Sequence, residues 1–186
     1  MTESTVSATK SAATRKATVG VAAAVALLAC ILAANLVTSR YGVVPVGFGL
    51  MATAGTYFAG VTFILRDAVQ DAAGKRWAFA VIAAGAILSF VLADPFIALA
   101  SAVAFLASEV ADLLVYTPLR KRGYIRASLA SNSVGAFVDT AIFLTIAGFP
   151  LQNALAGQMV GKLLLTALAV TAVASFRLSR RVRAVA

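Results

Sequence analysis

Six long apolar stretches run along the chain, at about 18–38, 43–64, 77–93, 96–116, 128–147 and 152–175. Each is close to the roughly 20 residues that a helix needs to cross a bilayer. The connectors between them are short and leave no room for a second domain. The pattern predicts an all-α integral membrane protein with six transmembrane helices. Residues 1–17, rich in Ser, Thr and Ala and without periodicity, read as a disordered tail, with the transmembrane domain expected over 18–176 and a basic tail over 177–186.

The placement of charge orients these helices. Lys10, Arg15 and Lys16 precede the first stretch, Arg66, Lys75 and Arg76 follow the second, Arg120, Lys121, Arg122 and Arg126 follow the fourth, and Arg177, Arg180, Arg181 and Arg183 end the chain. The intervening connectors hold Arg40 in the first, and no Lys or Arg around Asp94-Pro95 or around Gly148-Phe149-Pro150. Positive residues stay on the cytoplasmic side, so both termini are expected there, in a multi-pass protein of the plasma (inner) membrane. A cleaved signal peptide ending near Ala33-Ala34 would need a shorter apolar core and would break this alternation.

Composition narrows the chemistry. A mean hydropathy of +0.94 with 12% charged residues is too apolar for a soluble domain of 186 residues. The net charge of +9 sits between the apolar stretches and not on one solvated face, so it signals topology and lipid contact and not a nucleic-acid partner. With no histidine and a single Cys30, neither a cofactor nor a metal site is expected. No hydrolase motif is present, and no enzymatic activity is expected. The string "GQMVGKL", residues 157–163, has one residue too few between its glycines for a phosphate loop and Leu163 where Ser or Thr is needed. Gly157 and Gly161 read instead as a close helix contact.

The polar residues within the stretches concentrate in the last three: Glu109 and Asp112, then Ser131, Asn132 and Asp139, then Gln158 and Lys162. A charged side chain at mid-bilayer costs roughly 2.5–3.5 kcal/mol even on a mild insertion scale, so such residues mark function by default. Helical spacing puts Glu109, Asp112 and Tyr116 on one face, Asn132, Gly135 and Asp139 on another, and Gln158 and Lys162 on a third. At about 1.5 Å of rise per residue, these faces meet in one central layer and suggest a shared polar pocket. One lysine cannot neutralise three carboxylates, so another partner, water or a ligand is required. Asn35 and Thr38, near the outer end of the first stretch, are candidates for an entrance or an interfacial cap.

The segment "SEVADLLVYTPLRKRGYIRASLASNSVGAFVDTAIF", residues 108–143, resembles the VUT family of vitamin uptake transporters, also known as queuosine-precursor transporters. The residues that carry the likeness are Glu109, Asp112, Val115, Tyr116, Arg120, Arg126, Ser131, Asn132, Asp139, Thr140 and Phe143. A weaker block, "DAVQDAAGK", supplies Asp67, Gly74 and Lys75, with Asp71 where Glu is usual and Ala73 in place of Tyr; it implies a gating or loop motif at Asp67, Asp71, Gly74 and Lys75. Lys162 fits a lysine of the family's last span. The resemblance implies a fold similar to the substrate-binding components of energy-coupling-factor transporters. The implied cargo is a 7-deazaguanine such as preQ0 or preQ1, bound by Glu109, Asp112, Tyr116, Ser131, Asn132, Asp139, Gln158 and Lys162. Alternatives are a binding component for another vitamin-like solute that needs a separate energising module, or a membrane enzyme. An energising partner and a homo-oligomer are both left open.

Overall fold

The computed structural model describes residues 3–122, 124–164 and 168, without the side chains of 3–13, 120, 124–129 and 132. Helix α1 spans Glu3–Tyr41, a β-hairpin follows (β1, Val43–Gly47; β2, Leu50–Thr53), and then α2 (Thr56–Ala73), α3 (Lys75–Leu92), α4 (Pro95–Leu119), a 3-10 turn at Arg120–Arg122 and α5 (Tyr124–Ile146). A sixth helix, α6, runs through residues 151–164. The expected basic tail, with Arg177, Arg180, Arg181 and Arg183, lies outside the described residues.

Two segments differ from the sequence expectation. The helix of α1 extends back to Glu3 and takes in most of the 1–17 tail, where no Gly or Pro interrupts helix propagation. The second apolar stretch does not form one helix from residue 43. Its first part is the hairpin, pairing Val43 with Thr53, Val44 with Ala52, Pro45 with Met51 and Gly47 with Leu50. Val43, Val44 and Val46 are β-branched and Pro45 cannot sit inside a helix, so the strand conformation is favoured locally. Phe48 and Gly49 turn with φ of 53° and 73°, the two positive values that a tight two-residue hairpin requires.

The helix ends are set by local chemistry. Asp94 accepts hydrogen bonds from the N–H groups of Phe96 (2.9 Å) and Ile97 (3.1 Å), with Pro95 at the first position of α4. The N–H of Asp94 also donates to Ser39 Oγ at 3.0 Å, which ties the α3–α4 turn to the end of α1. Gly148, at φ 72°, ends α5 with the N–H of Phe149 bonded back to the Leu144 carbonyl at 2.9 Å.

Packing forms two halves. Helices α1, α2 and α3 share a core of Ala23, Leu27, Val69 and Ala78, with Ile31, Leu65, Val81 and Ile82 against it. Helices α4 and α5 form the most extensive helix pair. Phe79 and Phe105 meet edge-on at 6.2 Å and link α3 to α4. Outward, α4 presents Leu99, Val103, Leu106, Val110 and Leu113 as an exposed stripe at helical spacing. Such a stripe is stable facing lipid and costly facing water. Among the described residues, α1 from Thr14, α3 and α4 are each long and apolar enough to cross a membrane.

The hairpin is seated by close approach. A Cβ at Gly157 of α6 would collide with the Met51 backbone of β2, and one at Gly55 with the carbonyl oxygen of Ala34 in α1. Gly157 is thus a contact between helix and strand, and Gly161 meets a side chain of α2, with Thr56 Cγ2 3.0 Å from its would-be Cβ. At Gly135 a Cβ would meet the Ser108 carbonyl oxygen at 3.5 Å and Asp112 Cβ at 3.7 Å, ordinary contact distances. Gly157→Leu should therefore lower the melting temperature of the purified protein sharply, while Gly135→Ala should change it little. Thermal unfolding in detergent checks both.

Candidate functional site

Polar side chains converge where α2, α4, α5 and α6 approach. Lys162 Nζ of α6 forms an ion pair with Asp139 Oδ2 of α5 and donates to Thr140 Oγ1 at 3.0 Å. Lys162 is only 4% exposed, so without Asp139 it would be an uncompensated charge in the bundle interior. A second pair joins Arg66 Nη1 of α2 to Glu109 Oε1 of α4. Arg66 is held from its other side by Asp67, whose Oδ1 accepts from Nε at 3.1 Å and Nη2 at 3.0 Å. The Phe63 ring lies 5.7 Å from the guanidinium carbon.

Arg66 supplies a second cation for the interior carboxylates and pairs with Glu109. By position it was expected to be a connector cation, yet α2 continues to Ala73 and carries it inside the helix, with its side chain 18% exposed. The hairpin is the reason. By using residues 43–53 it moves the start of α2 to Thr56 and slides the helical register toward the next turn. The signal available in the sequence was Pro45 together with Gly47 and Gly49 inside an otherwise apolar stretch.

Two cavities flank these pairs. The hairpin-side chamber, of about 90 Å³, is lined by Asn35 and Thr38 of α1, Thr53 of β2, Thr56 and Phe63 of α2, Phe105 of α4, Asp139 of α5 and Gln158 of α6, among others. The turn-side chamber, of about 70 Å³, is lined by Ser108, Glu109 and Asp112 of α4 and Gly135 and Ala136 of α5. Phe63, Arg66 and Lys162 line both. Along α4 the lining passes from Ser101–Phe105 in one chamber to Ser108–Asp112 in the other, about two turns further on. The two cavities are stacked, with the basic side chains and Phe63 between them.

The hairpin-side wall is partly pre-ordered. Gln158, 1% exposed, donates from Nε2 to Thr53 Oγ1 at 2.6 Å, and Thr53 and Thr56 hydroxyls are 3.1 Å apart. Thr38 accepts the Gly55 N–H at 3.0 Å, so it fixes the hairpin exit to α1.

The eight residues singled out as substrate-binding therefore divide. Asp139, Gln158 and Lys162 line the hairpin-side chamber, and Glu109 and Asp112 line the turn-side one with Lys162. Asp112 makes no ion pair among the described residues. Tyr116 and Ser131 lie in neither lining, although Ser131 is buried. The Asn132 side chain lies outside the described residues. Of the loop motif, Asp67, Asp71, Gly74 and Lys75 are exposed at or near the α2–α3 turn, and Gly74 takes φ 93° there. No metal-binding group of acidic, cysteine or histidine residues occurs among the described residues.

Residues 90–176 match the family model described as "Putative vitamin uptake transporter". Over that span, just under half of its length, the chain is similar to the vitamin uptake transporter family. That span holds Glu109, Asp112, Asp139, Gln158 and Lys162, while Arg66 and the hairpin lie outside it. No curated protein and no solved structure matches the chain.

The pairs make a sharp energetic prediction. Arg66→Ala leaves the partly buried Glu109 uncompensated and should destabilise by roughly 2–4 kcal/mol, while Glu109→Ala leaves Arg66 its Asp67 partner and should cost less. The double substitution should recover much of that loss. A double-mutant cycle by denaturant unfolding in micelles reads the coupling, and additive losses would show that the pair contributes none.

Proposed function

We propose that the chain is an uptake transporter of the inner membrane that carries a queuosine precursor, a 7-deazaguanine such as preQ0 or preQ1. The observation that carries this reading is the Asp139–Lys162 pair in the wall of a cavity that also holds Gln158 and several hydroxyls. The match of residues 90–176, which contain the pair, to a vitamin uptake transporter model supports it.

The pyrimidine edge of a deazaguanine presents adjacent N–H donors, which one carboxylate accepts in a fork. Asp139 takes that role, with Lys162 paired to its Oδ2 and holding it in place. Phe63 and Phe105 of the same lining offer faces for a flat ring. Glu109, paired with Arg66 in the other chamber, acts after binding, on the path that leads out of the site. Tyr116, further along α4, takes its place on that same path.

All six helices cross the membrane in this reading, with both termini cytoplasmic and the hairpin at the outer surface. The charge distribution supports that orientation, since the α2–α3 turn and the Arg120–Arg122 turn share one end of the bundle and carry basic residues. The hairpin-side chamber then faces outward and the turn-side chamber faces the cytoplasm. Solute passes from one to the other past Phe63, Arg66 and Lys162.

Cells unable to make queuosine precursors, supplied with labelled preQ0 or preQ1, test the cargo. Expression of the chain should restore queuosine in tRNA, and Asp139→Asn should lower initial uptake by about tenfold or more at equal membrane expression. Binding of the purified protein to the base without uptake in cells would mark it as a binding component that needs a separate energising module. Absence of binding would overturn the deazaguanine assignment.

Alkaline phosphatase fused after Ala186 should be inactive, and the same enzyme inserted at Phe48 active. The reverse pattern would overturn the orientation.

A further inference from the structure

Two buried side-chain atoms among the described residues have no hydrogen-bond partner: Asn35 Nδ2 and Ser89 Oγ. Of the two residues, only Asn35 lines a chamber. Its side chain belongs to a residue 3% exposed, on the face of α1 that turns toward the hairpin-side cavity. A buried amide N–H without a partner is costly, and native structures rarely leave one without a reason.

The neighbouring groups show that this donor is not needed to build the wall. Thr38, one turn further along α1, already fixes the hairpin exit by accepting the Gly55 N–H. On the opposite side the Gln158 amide is committed to Thr53, and Lys162 to Asp139 and Thr140. The chamber is therefore furnished with a carboxylate that accepts hydrogen bonds and, from a different helix, an amide with hydrogens to give.

We propose that Asn35 is a specificity-determining residue of this chamber, donating to the ring carbonyl of a planar base while Asp139 accepts from the base's adjacent N–H groups. The assignment rests on the proposed deazaguanine reading and deepens it. In a guanine-type ring the carbonyl adjoins the N–H edge, so a site that reads the edge with a carboxylate needs a separate donor for the carbonyl. Gln158 has one of its two amide hydrogens bound to Thr53, whereas Asn35 Nδ2 has neither of its hydrogens bound. A solute lacking the carbonyl leaves Asn35 unpaired in the complex and is discriminated against.

The test compares the whole chain in lipid nanodiscs with its Asn35→Leu and Asn35→Asp variants, by thermal unfolding without ligand and by titration with preQ0 and with its 6-thioxo analogue, which keeps the ring N–H groups and replaces the carbonyl oxygen with a weak sulfur acceptor. Leu has the branched shape of Asn, its larger methyl groups face the cavity, and it removes the orphaned amide, so its ligand-free melting temperature should equal or exceed that of the wild type. Its affinity for preQ0 should fall by about tenfold or more, with that for the 6-thioxo analogue changed by less than about threefold. Asn35→Asp keeps the shape and loses the donor, and should show the same selective loss. A lower ligand-free melting temperature for Asn35→Leu, equal losses for both ligands, or unchanged preQ0 affinity would overturn the assignment. If the wild type binds neither base, the deazaguanine reading itself fails and the Asn35 assignment falls with it, an outcome distinct from selective binding that ignores Asn35.

Discussion

A charge held inside a lipid-embedded bundle must be matched by another, and here Lys162 and Asp139 match each other across α5 and α6. The pair fixes the rotation of both helices about their axes, because a turn of either would strand a charge. With that rotation set, Gln158, one helical turn from Lys162, faces Thr53 of the hairpin, and Gly157 falls where the strand backbone passes. Thr140, next to Asp139, accepts a second hydrogen bond from the lysine. The seat of the hairpin and the shape of the hairpin-side chamber thus follow from one ion pair.

The second pair, Arg66 with Glu109, repeats the arrangement across α2 and α4. The two pairs lie where the chambers meet, since Arg66 and Lys162 border both.

Much of this site could be read from the sequence. Asp139 and Lys162 stand out because ionisable residues are rare in apolar helices, and the estimated depths already placed them in one layer. The hairpin was missed because hydropathy does not distinguish a Val-rich strand from a Val-rich helix; the Pro and Gly residues that do distinguish them were absorbed into a long apolar stretch. Arg66 followed from that error, since its place in a helix or a connector depends on where α2 begins. Asn35 was visible as a polar residue near a helix end, but only the packing reveals that Thr38 is structurally engaged and Asn35 is not.

In the proposed transport cycle solute occupies the hairpin-side chamber above the Lys162–Asp139 pair. The most direct test of this is the rate of alkylation of a single cysteine, introduced into a Cys30→Ser background at Ala59 in the hairpin-side lining or at Ser108 in the turn-side lining, with and without saturating preQ0. The account predicts strong protection at Ala59→Cys and little change at Ser108→Cys. Protection at Ser108→Cys with none at Ala59→Cys would contradict it.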